Sequence, residues 1–198
     1  MTTNAERPVL FLDFDRTLFD TARLRDWLGE DIMGRIQAIE DGALEFPDLP
    51  SLLYPDTVPF LGEAKKTHRL VLLTTTAHRI FQEKKVYGSG IASHLDDILI
   101  AKSSEGSSGK GVAAKEYLGR EVRTGDGHLF VDDLPENISE MKMFVPEIRS
   151  IQIERDPSRA DELLAETLLP PDAKVTHLFA LLPLLSAAPA TSPKGEAL

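Results

Sequence analysis

Short apolar runs alternate with segments of helical spacing along most of the chain. Five runs have the length and composition of strands, at residues 9–12, 69–74, 97–100, 128–131 and 148–153. Their nearly continuous apolar character indicates strands that are buried on both faces of a sheet. Strands that alternate with helices form a parallel sheet covered on both faces, so the pattern predicts an α/β fold with about five strands.

Apolar residues at helical spacing fill the intervals between these runs. They predict helices at residues 57–67, 78–87, 110–118 and 156–169, and one that begins at Pro135. Proline suits the first turn of a helix, where its missing N–H is not needed. Gly88 and Gly119 follow two of these helices and are typical helix ends. Residues 103–109, rich in serine and glycine, predict a loop.

Residues 18–54 separate the first two strands and predict a small helical insert. Leucines and isoleucines recur there at nearly helical spacing, at Leu24, Leu28, Ile32, Ile36 and Ile39. Asp20 or Thr21 is the expected N-cap of this pattern, and Gly42 is its expected end. We therefore predict one domain over residues 1–186 that contains this insert. Residues 187–198, rich in alanine, proline and serine, predict a disordered tail.

Composition narrows the classes of partner. The chain has 198 residues, 42% of them hydrophobic, and a net charge of −10. That charge argues against nucleic acid and anionic membranes, which bind basic patches. The absence of cysteine excludes a disulfide framework and a thiolate nucleophile. It is consistent with a cytoplasmic location, as is a start that lacks the signal-peptide pattern. The sequence leaves the oligomeric state open.

Paired acids follow two of the predicted strands. Asp13 and Asp15 come directly after the first strand, and Asp132 and Asp133 end the fourth. Open parallel sheets bind their ligands at the carboxyl ends of the strands, where these side chains would lie. A carboxylate at that edge can serve as a nucleophile, a metal ligand or a proton-transfer group. Two acid-tipped strands in one domain therefore indicate a catalytic or metal site.

These acids belong to motifs with a recognisable order. Residues 13–17, Asp-Phe-Asp-Arg-Thr, resemble the first motif, DxDxT, of the haloacid dehalogenase-like (HAD) hydrolase superfamily. The apolar run that ends at Thr74 resembles its second motif, and Asp132-Asp133 with Asn137 resembles its fourth. Residues 81–91 resemble a bacterial, phosphatase-like group within it. The resemblance spans about residues 8–153 and implies a Rossmann-like HAD fold with a small cap at the insert.

The resemblance implies a role for each motif residue. Asp13 would attack phosphorus and become an aspartyl-phosphate, and Asp15 would be the acid–base group. Thr74 would hold a phosphate oxygen. The third motif is a lone lysine, for which Lys110, at a helix start, is preferred, with Lys102, directly after the third strand, as the alternative. Lys84, Lys85 and Lys115 are interpreted instead as solvated charges on helix surfaces.

The same resemblance implies a magnesium ion. Asp13, Asp132 and the backbone carbonyl of Asp15 would hold it, since hard divalent cations take oxygen ligands. Asp133, which is also a candidate helix cap, would contact the ion through a water molecule or support its direct ligands. Asn137 would orient Asp133.

The turn that carries the first motif has two further residues of interest. Thr17 is expected to fix this turn by hydrogen bonding. Arg16 departs from the small residue, often glycine, that the family carries at this position. It would either reach the substrate or stay on the surface.

The expected function is magnesium-dependent hydrolysis of a phosphate monoester through an aspartyl-phosphate. Family members that cleave carbon–halogen bonds lack the second aspartate, so Asp15 favours phosphoryl transfer. One alternative is a phosphotransferase that uses the same intermediate, and another is a non-catalytic binding or regulatory protein that kept the fold. The expected partner is a phosphorylated small molecule or macromolecule, and the sequence does not identify it.

Overall fold

A computed structural model describes residues 7–103, 106–121, 127–156 and 169–186. Its centre is a sheet in which every described strand pairs in parallel, in the order β3-β2-β1-β4-β5-β6. The strands are β1 (Val9–Leu12), β2 (Arg69–Thr76), β3 (Asp97–Lys102), β4 (Leu129–Asp132), β5 (Arg149–Ile153) and β6 (Ala173–Val175). The predicted α/β fold is confirmed, with one strand more than expected. β6 was missed because three residues with a central lysine give no apolar run.

Helices cover both faces of this sheet. They are α1 (Thr21–Leu28), α2 (Ile32–Glu40), α3 (Thr57–Ala64), α4 (Arg79–Gly88), α5 (Lys110–Glu121), α6 (Pro135–Phe144) and α7 (Leu182–Ser186). Short 3-10 turns lie at Leu49–Leu52, Ile91–His94 and Leu178–Leu181. The predicted end of α5 at Gly119 was wrong, since the helix continues to Glu121. The helix predicted at 156–169 lies almost wholly outside the described residues, as does all of the tail predicted at 187–198.

The alternation of side chains along β1 divides the core into two layers. Leu10 and Leu12 face a layer that includes residues of α1–α4, while Val9 and Phe11 face a layer that includes residues of α5 and α6. All four residues of β1 are completely buried. β1 therefore occupies the middle of the sheet, and the polar residues that follow it emerge at the centre of the carboxyl edge.

The insert begins with a tight hairpin and contains two helices instead of one. The Arg16 N–H donates to the Phe19 carbonyl at 2.8 Å, which closes the turn with Arg16 at φ 60°. Asp20 caps α1, as expected, by accepting from the Arg23 N–H. Gly29, at φ 68°, ends α1, and Asp31 caps α2. The helical pattern is therefore interrupted at Gly29, because glycine disfavours the interior of a helix.

The described helices are short. The longest, α5, has 12 residues, and among the described residues no helix has both the length and the apolar character needed to cross a membrane.

Candidate active site

The strand order reverses beside β1, and this places two acids next to each other. The chain runs from β1 outward to β3 and then returns to the other side of β1 as β4. Because β1 and β4 pair, the Asp13 N–H donates to the Val131 carbonyl at 2.9 Å. Asp13 and Asp132 therefore leave neighbouring strands at the switch point, where open α/β sheets bind ligands. Both side chains are buried.

Lys110 bridges these two carboxylates. Its Nζ lies 2.6 Å from Asp13 Oδ1 and 2.7 Å from Asp132 Oδ2, and the residue is only 1% exposed. Lys102, the other candidate from the sequence, is exposed at the end of β3. The structure thus brings Lys110 into the site and leaves Lys102 at the surface.

The loop before α5 aims Lys110 at the site. Glu140 of α6 accepts hydrogen bonds from the Ser108 N–H at 2.7 Å and the Gly111 N–H at 3.0 Å. Gly109 has φ 75°, and a Cβ there would lie 2.4 Å from the Lys102 carbonyl oxygen. Only glycine combines that backbone conformation with such a close approach. Glu140 and Gly109 were both missed from the sequence, because the link to Glu140 spans about thirty residues.

Asp133 completes an acidic cluster. One carboxylate oxygen from each of Asp13, Asp132 and Asp133 lies within 4.8 Å of the others, and all three residues are buried. Asn137 donates to Asp132 at 2.9 and 3.1 Å, so it orients that carboxylate, and the expectation that it orients Asp133 stays a prediction. Asp133 is not the cap of α6, since Leu134 holds that position.

The charges in this cluster do not balance. Burial, with the charges of Asp132 and Asp15, raises the pKa of Asp13 to about 7, although Lys110 opposes the rise. Burial and the charges of Asp13 and Asp132 raise the pKa of Asp133 to about 9. Burial tends to lower the pKa of Lys110, but Asp13 and Asp132 raise it above its ordinary value. Lys110 contacts Asp13 and Asp132, and the third buried carboxyl group, Asp133, lies in the same cluster. Such a cluster fits a divalent cation that takes oxygen ligands.

Asp15 points to a different set of partners. Its Oδ1 accepts from Lys85 Nζ at 2.6 Å and from Thr21 Oγ1 at 2.6 Å, and its Oδ2 accepts from Gln82 Nε2 at 2.8 Å. Burial tends to raise the pKa of Asp15, but Lys85 and these hydrogen bonds lower it below the usual value. Asp15 therefore rests as a carboxylate, and part of its side chain remains exposed.

The interpretation of Lys85 as a solvated charge was wrong. Lys85 is 3% exposed, and its ammonium lies 5.5–5.6 Å from the ring centroids of Phe14, Phe19 and Phe81. A signal was present in the sequence, since Phe81 and Lys85 are four residues apart and share one face of a helix. The neighbouring Lys84 instead reaches the insert, where it donates to the Ile39 carbonyl.

The three consecutive threonines of β2 have different roles. Thr74 is buried, and its Oγ1 accepts from Gln82 Nε2 at 2.9 Å, so Thr74 and Asp15 share one partner. Thr75 instead donates to the Ser108 carbonyl in the loop before α5. Thr76 caps the turn to α4 by accepting from the His78 N–H. Thr74 is therefore the member of the run that adjoins the acidic residues.

Thr17 does not hold its turn in the expected way. Its buried Oγ1 has no hydrogen-bond partner among the described residues, so the expectation of a hydroxyl hydrogen bond was wrong. Its carbonyl instead accepts from Arg155, whose guanidinium also pairs with Asp56. Arg16 is half-buried beside it, and its φ of 60° is uncommon for a residue with a side chain.

Comparison with known proteins identifies the fold. No protein-family model matches the chain, and no curated protein matches it. Solved structures match nearly all of it. The HAD-hydrolase YfnB from Bacillus subtilis, bound to magnesium, is 13% identical with a TM-score of 0.62, and the match covers 92% of this chain and 100% of YfnB.

Two further matches differ in the activity that their names state. L-2-haloacid dehalogenase from Xanthobacter autotrophicus is 19% identical with a TM-score of 0.59, over 91% of this chain and 98% of that enzyme. A HAD phosphatase from Thermococcus onnurineus is 15% identical with a TM-score of 0.57, and the match covers 93% of this chain and 100% of that protein. The chain therefore has the fold of the HAD-like hydrolases, which is the fold that the resemblance implied.

Proposed function

We propose that this protein hydrolyses phosphate monoesters through an aspartyl-phosphate on Asp13, with the help of a magnesium ion. The observation that carries the proposal is the pairing of Asp13 with Lys110 at 2.6 Å, beside Asp132 and within the field of Asp15. A nucleophilic carboxylate next to a fixed cation suits attack on an anionic phosphoryl group, because the cation offsets the charge repulsion.

The reaction has two displacements. In the first, an Asp13 carboxylate oxygen bonds to phosphorus, the bond to the leaving oxygen breaks, and Asp15 gives that oxygen a proton. Asp15 otherwise rests ionised, so it takes up a proton from solvent when the substrate binds, because the negative phosphoryl group raises its proton affinity. In the second, Asp15 takes a proton from water, the water oxygen bonds to phosphorus, and Asp13 leaves as a carboxylate with release of phosphate.

The acidic cluster fits magnesium. Asp13 and Asp132 would supply carboxylate oxygens, and the backbone carbonyl of Asp15 is the further ligand that the motif implies. The Asp133 carboxylate, which lies within the same 4.8 Å cluster, would be an additional ligand. When bound, the ion polarises the phosphoryl oxygens and stabilises the charge that develops on them. The magnesium bound to YfnB supports this choice of ion.

Asp15 separates the phosphatase from the dehalogenase alternative. Cleavage of a carbon–halogen bond releases a halide ion, which needs no proton, whereas an alkoxide leaving group does. In this chain Asp15 is held by three side chains next to Thr74, the candidate phosphate ligand. That arrangement favours phosphoryl transfer. We expect a phosphorylated substrate and no nucleic-acid partner, given the net charge of −10.

A substrate screen tests the proposal. Purified protein is assayed with aryl and alkyl phosphates and with 2-haloacids, with magnesium and after addition of EDTA. We expect phosphate release that needs magnesium and that is abolished in Asp13→Asn, whose amide is a poor nucleophile. Phosphate transfer to an added alcohol in place of water would identify the phosphotransferase. Halide release without phosphate release would overturn the proposal.

A further inference from the structure

We infer that two side chains of α4, Lys85 and Gln82, position Asp15 for proton transfer and couple it to Thr74. Neither residue belongs to the four motifs. The inference rests on the proposed function, because it assigns to α4 the orientation of the proposed acid–base group.

The first step is the geometry around Asp15. Lys85 and Thr21 both contact Oδ1 at 2.6 Å, while Gln82 contacts Oδ2 at 2.8 Å. Because the donors reach both oxygens from two different elements, α1 and α4, the plane of the carboxylate is fixed. Proton transfer depends on such fixed placement, since a group must lie within hydrogen-bond reach of the atom it serves.

The second step is the burial of Lys85. An ammonium that is nearly removed from water needs a counter-charge, and Asp15 is its salt-bridge partner among the described residues. The rings of Phe14, Phe19 and Phe81 surround the same ammonium and restrict its movement. Lys85 is therefore a fixed support, unlike a flexible surface lysine.

The third step concerns Gln82. Its Nε2 lies 2.8 Å from Asp15 Oδ2 and 2.9 Å from Thr74 Oγ1, so one amide group joins the two side chains. Thr74 is the proposed ligand of a phosphate oxygen. Gln82 thus sets the distance between the proton-transfer group and the bound phosphoryl group.

The test of Lys85 compares two leaving groups. Lys85→Met keeps a long side chain among the rings but removes the contact with Asp15. We expect kcat/KM for an alkyl phosphate to fall by about 10- to 100-fold, the range for lost supporting hydrogen bonds in metal sites. The loss for p-nitrophenyl phosphate should be smaller, because nitrophenolate leaves without a proton. Lys84→Met is the control, with no change in either rate.

A double variant separates positioning from a general structural effect. In the Asp15→Asn background, Lys85→Met should cost little more, because the group that it positions is already inactive. Equal losses for both esters in Lys85→Met would overturn the inference. A full additional loss in the Asp15→Asn background would also overturn it.

Gln82→Leu should give a different result, because it also releases Thr74. Inorganic phosphate should inhibit this variant several-fold less strongly than it inhibits the wild type, whereas inhibition of Lys85→Met should stay unchanged. Unaltered inhibition in Gln82→Leu would remove the coupling to Thr74.

A crystal structure of Lys85→Met distinguishes this inference from the proposed function. If the wild type hydrolyses no phosphate ester, the proposed function fails, and the placement of Asp15 is then judged from that structure alone. We expect the Asp15 carboxylate to lose its original orientation, because Thr21 alone then holds Oδ1. A carboxylate in its original place would overturn the inference even in an active enzyme.

Discussion

The side-chain amide of Asn137 reaches both carboxylate oxygens of Asp132, at 2.9 and 3.1 Å. The Leu134 N–H contacts Oδ1 at 2.9 Å, and Lys110 contacts Oδ2 at 2.7 Å. Asp132 is thus fixed by partners from α5 and from the start of α6. Such partners decide which lone pairs of a carboxylate remain for a metal ion.

We therefore expect Asn137→Leu to weaken magnesium binding by about 10- to 100-fold. Without the amide, Asp132 is free to rotate around its remaining contacts. Magnesium titrations of activity should show a higher half-saturating concentration, with the rate largely recovered at saturation. Glu136→Gln, at an exposed position on the same helix, serves as the control. An unchanged half-saturating concentration in Asn137→Leu would mean that Lys110 and Leu134 alone orient Asp132.

Lys110 and Lys102 provide a matched pair of variants. Lys110→Met removes the cation between Asp13 and Asp132, so the phosphoryl group would meet uncompensated carboxylates. We expect a loss in kcat of about a hundredfold to a thousandfold, as for other groups that stabilise transition-state charge. Lys102→Met should keep its rate, because its side chain is exposed. If the Lys102 variant were instead the inactive one, the assignment of the third motif would be wrong.

Local patterns were sufficient for the elements and for most of the site. β1 and β4 are unbroken apolar runs, and the acids at their ends coincide in space because the strands are adjacent and parallel. The sequence favoured Lys110, at a helix start, but kept Lys102 as the alternative, since Lys102 ends β3 and Lys110 follows it by eight residues. The backbone of the loop decides between them, through Gly109 at φ 75° and through the hydrogen bonds that the loop and the start of α5 donate to Glu140, about thirty residues away in sequence.

The support of Asp15 was harder to predict. Lys84 and Lys85 are adjacent lysines on a helix, and only about 100° of rotation separates the buried one from the exposed one. The burial of Lys85 depends on Phe81 of its own helix, on two phenylalanines of the hairpin after β1, and on a carboxylate 70 residues away in sequence. The four-residue spacing of Phe81 and Lys85 indicates only one of these contacts. Thr21 was considered only as a helix cap, although its hydroxyl donates to Asp15.

Glu140 should affect both stability and rate. It accepts three hydrogen bonds, from the Ser108 N–H, the Ser108 hydroxyl and the Gly111 N–H, at the start of α5. Glu140→Ala should lower the free energy of unfolding by about 1–2 kcal/mol, the range for a lost helix cap.

The same variant should also lower kcat, because Lys110 begins this helix. Glu140→Gln keeps a side-chain acceptor and should recover part of both losses. Urea unfolding and steady-state rates measure the two effects. A variant with reduced stability but a normal kcat would show that Lys110 keeps its position without this cap.

His68 lies at the amino ends of the strands, opposite the site, and should make the free energy of unfolding depend on pH. It precedes β2 and is 2% exposed. Burial, with the nearby charges of His128 and Arg7, lowers the pKa of His68 to about 4, although a hydrogen bond with the Gly127 carbonyl opposes the shift. In the unfolded chain the pKa is about 6.5. Between these values the unfolded state binds the extra proton, so the contribution of neutral His68 to stability is complete above pH 6.5 and is lost as pH falls toward 4. The slope from this one group is at most about 1.4 kcal/mol per pH unit.

Urea unfolding of wild type and His68→Gln across this range isolates the effect, because every other group titrates in both proteins. We expect a shallower fall in the variant, and parallel curves would show that His68 is protonated in the folded protein as readily as in the unfolded one.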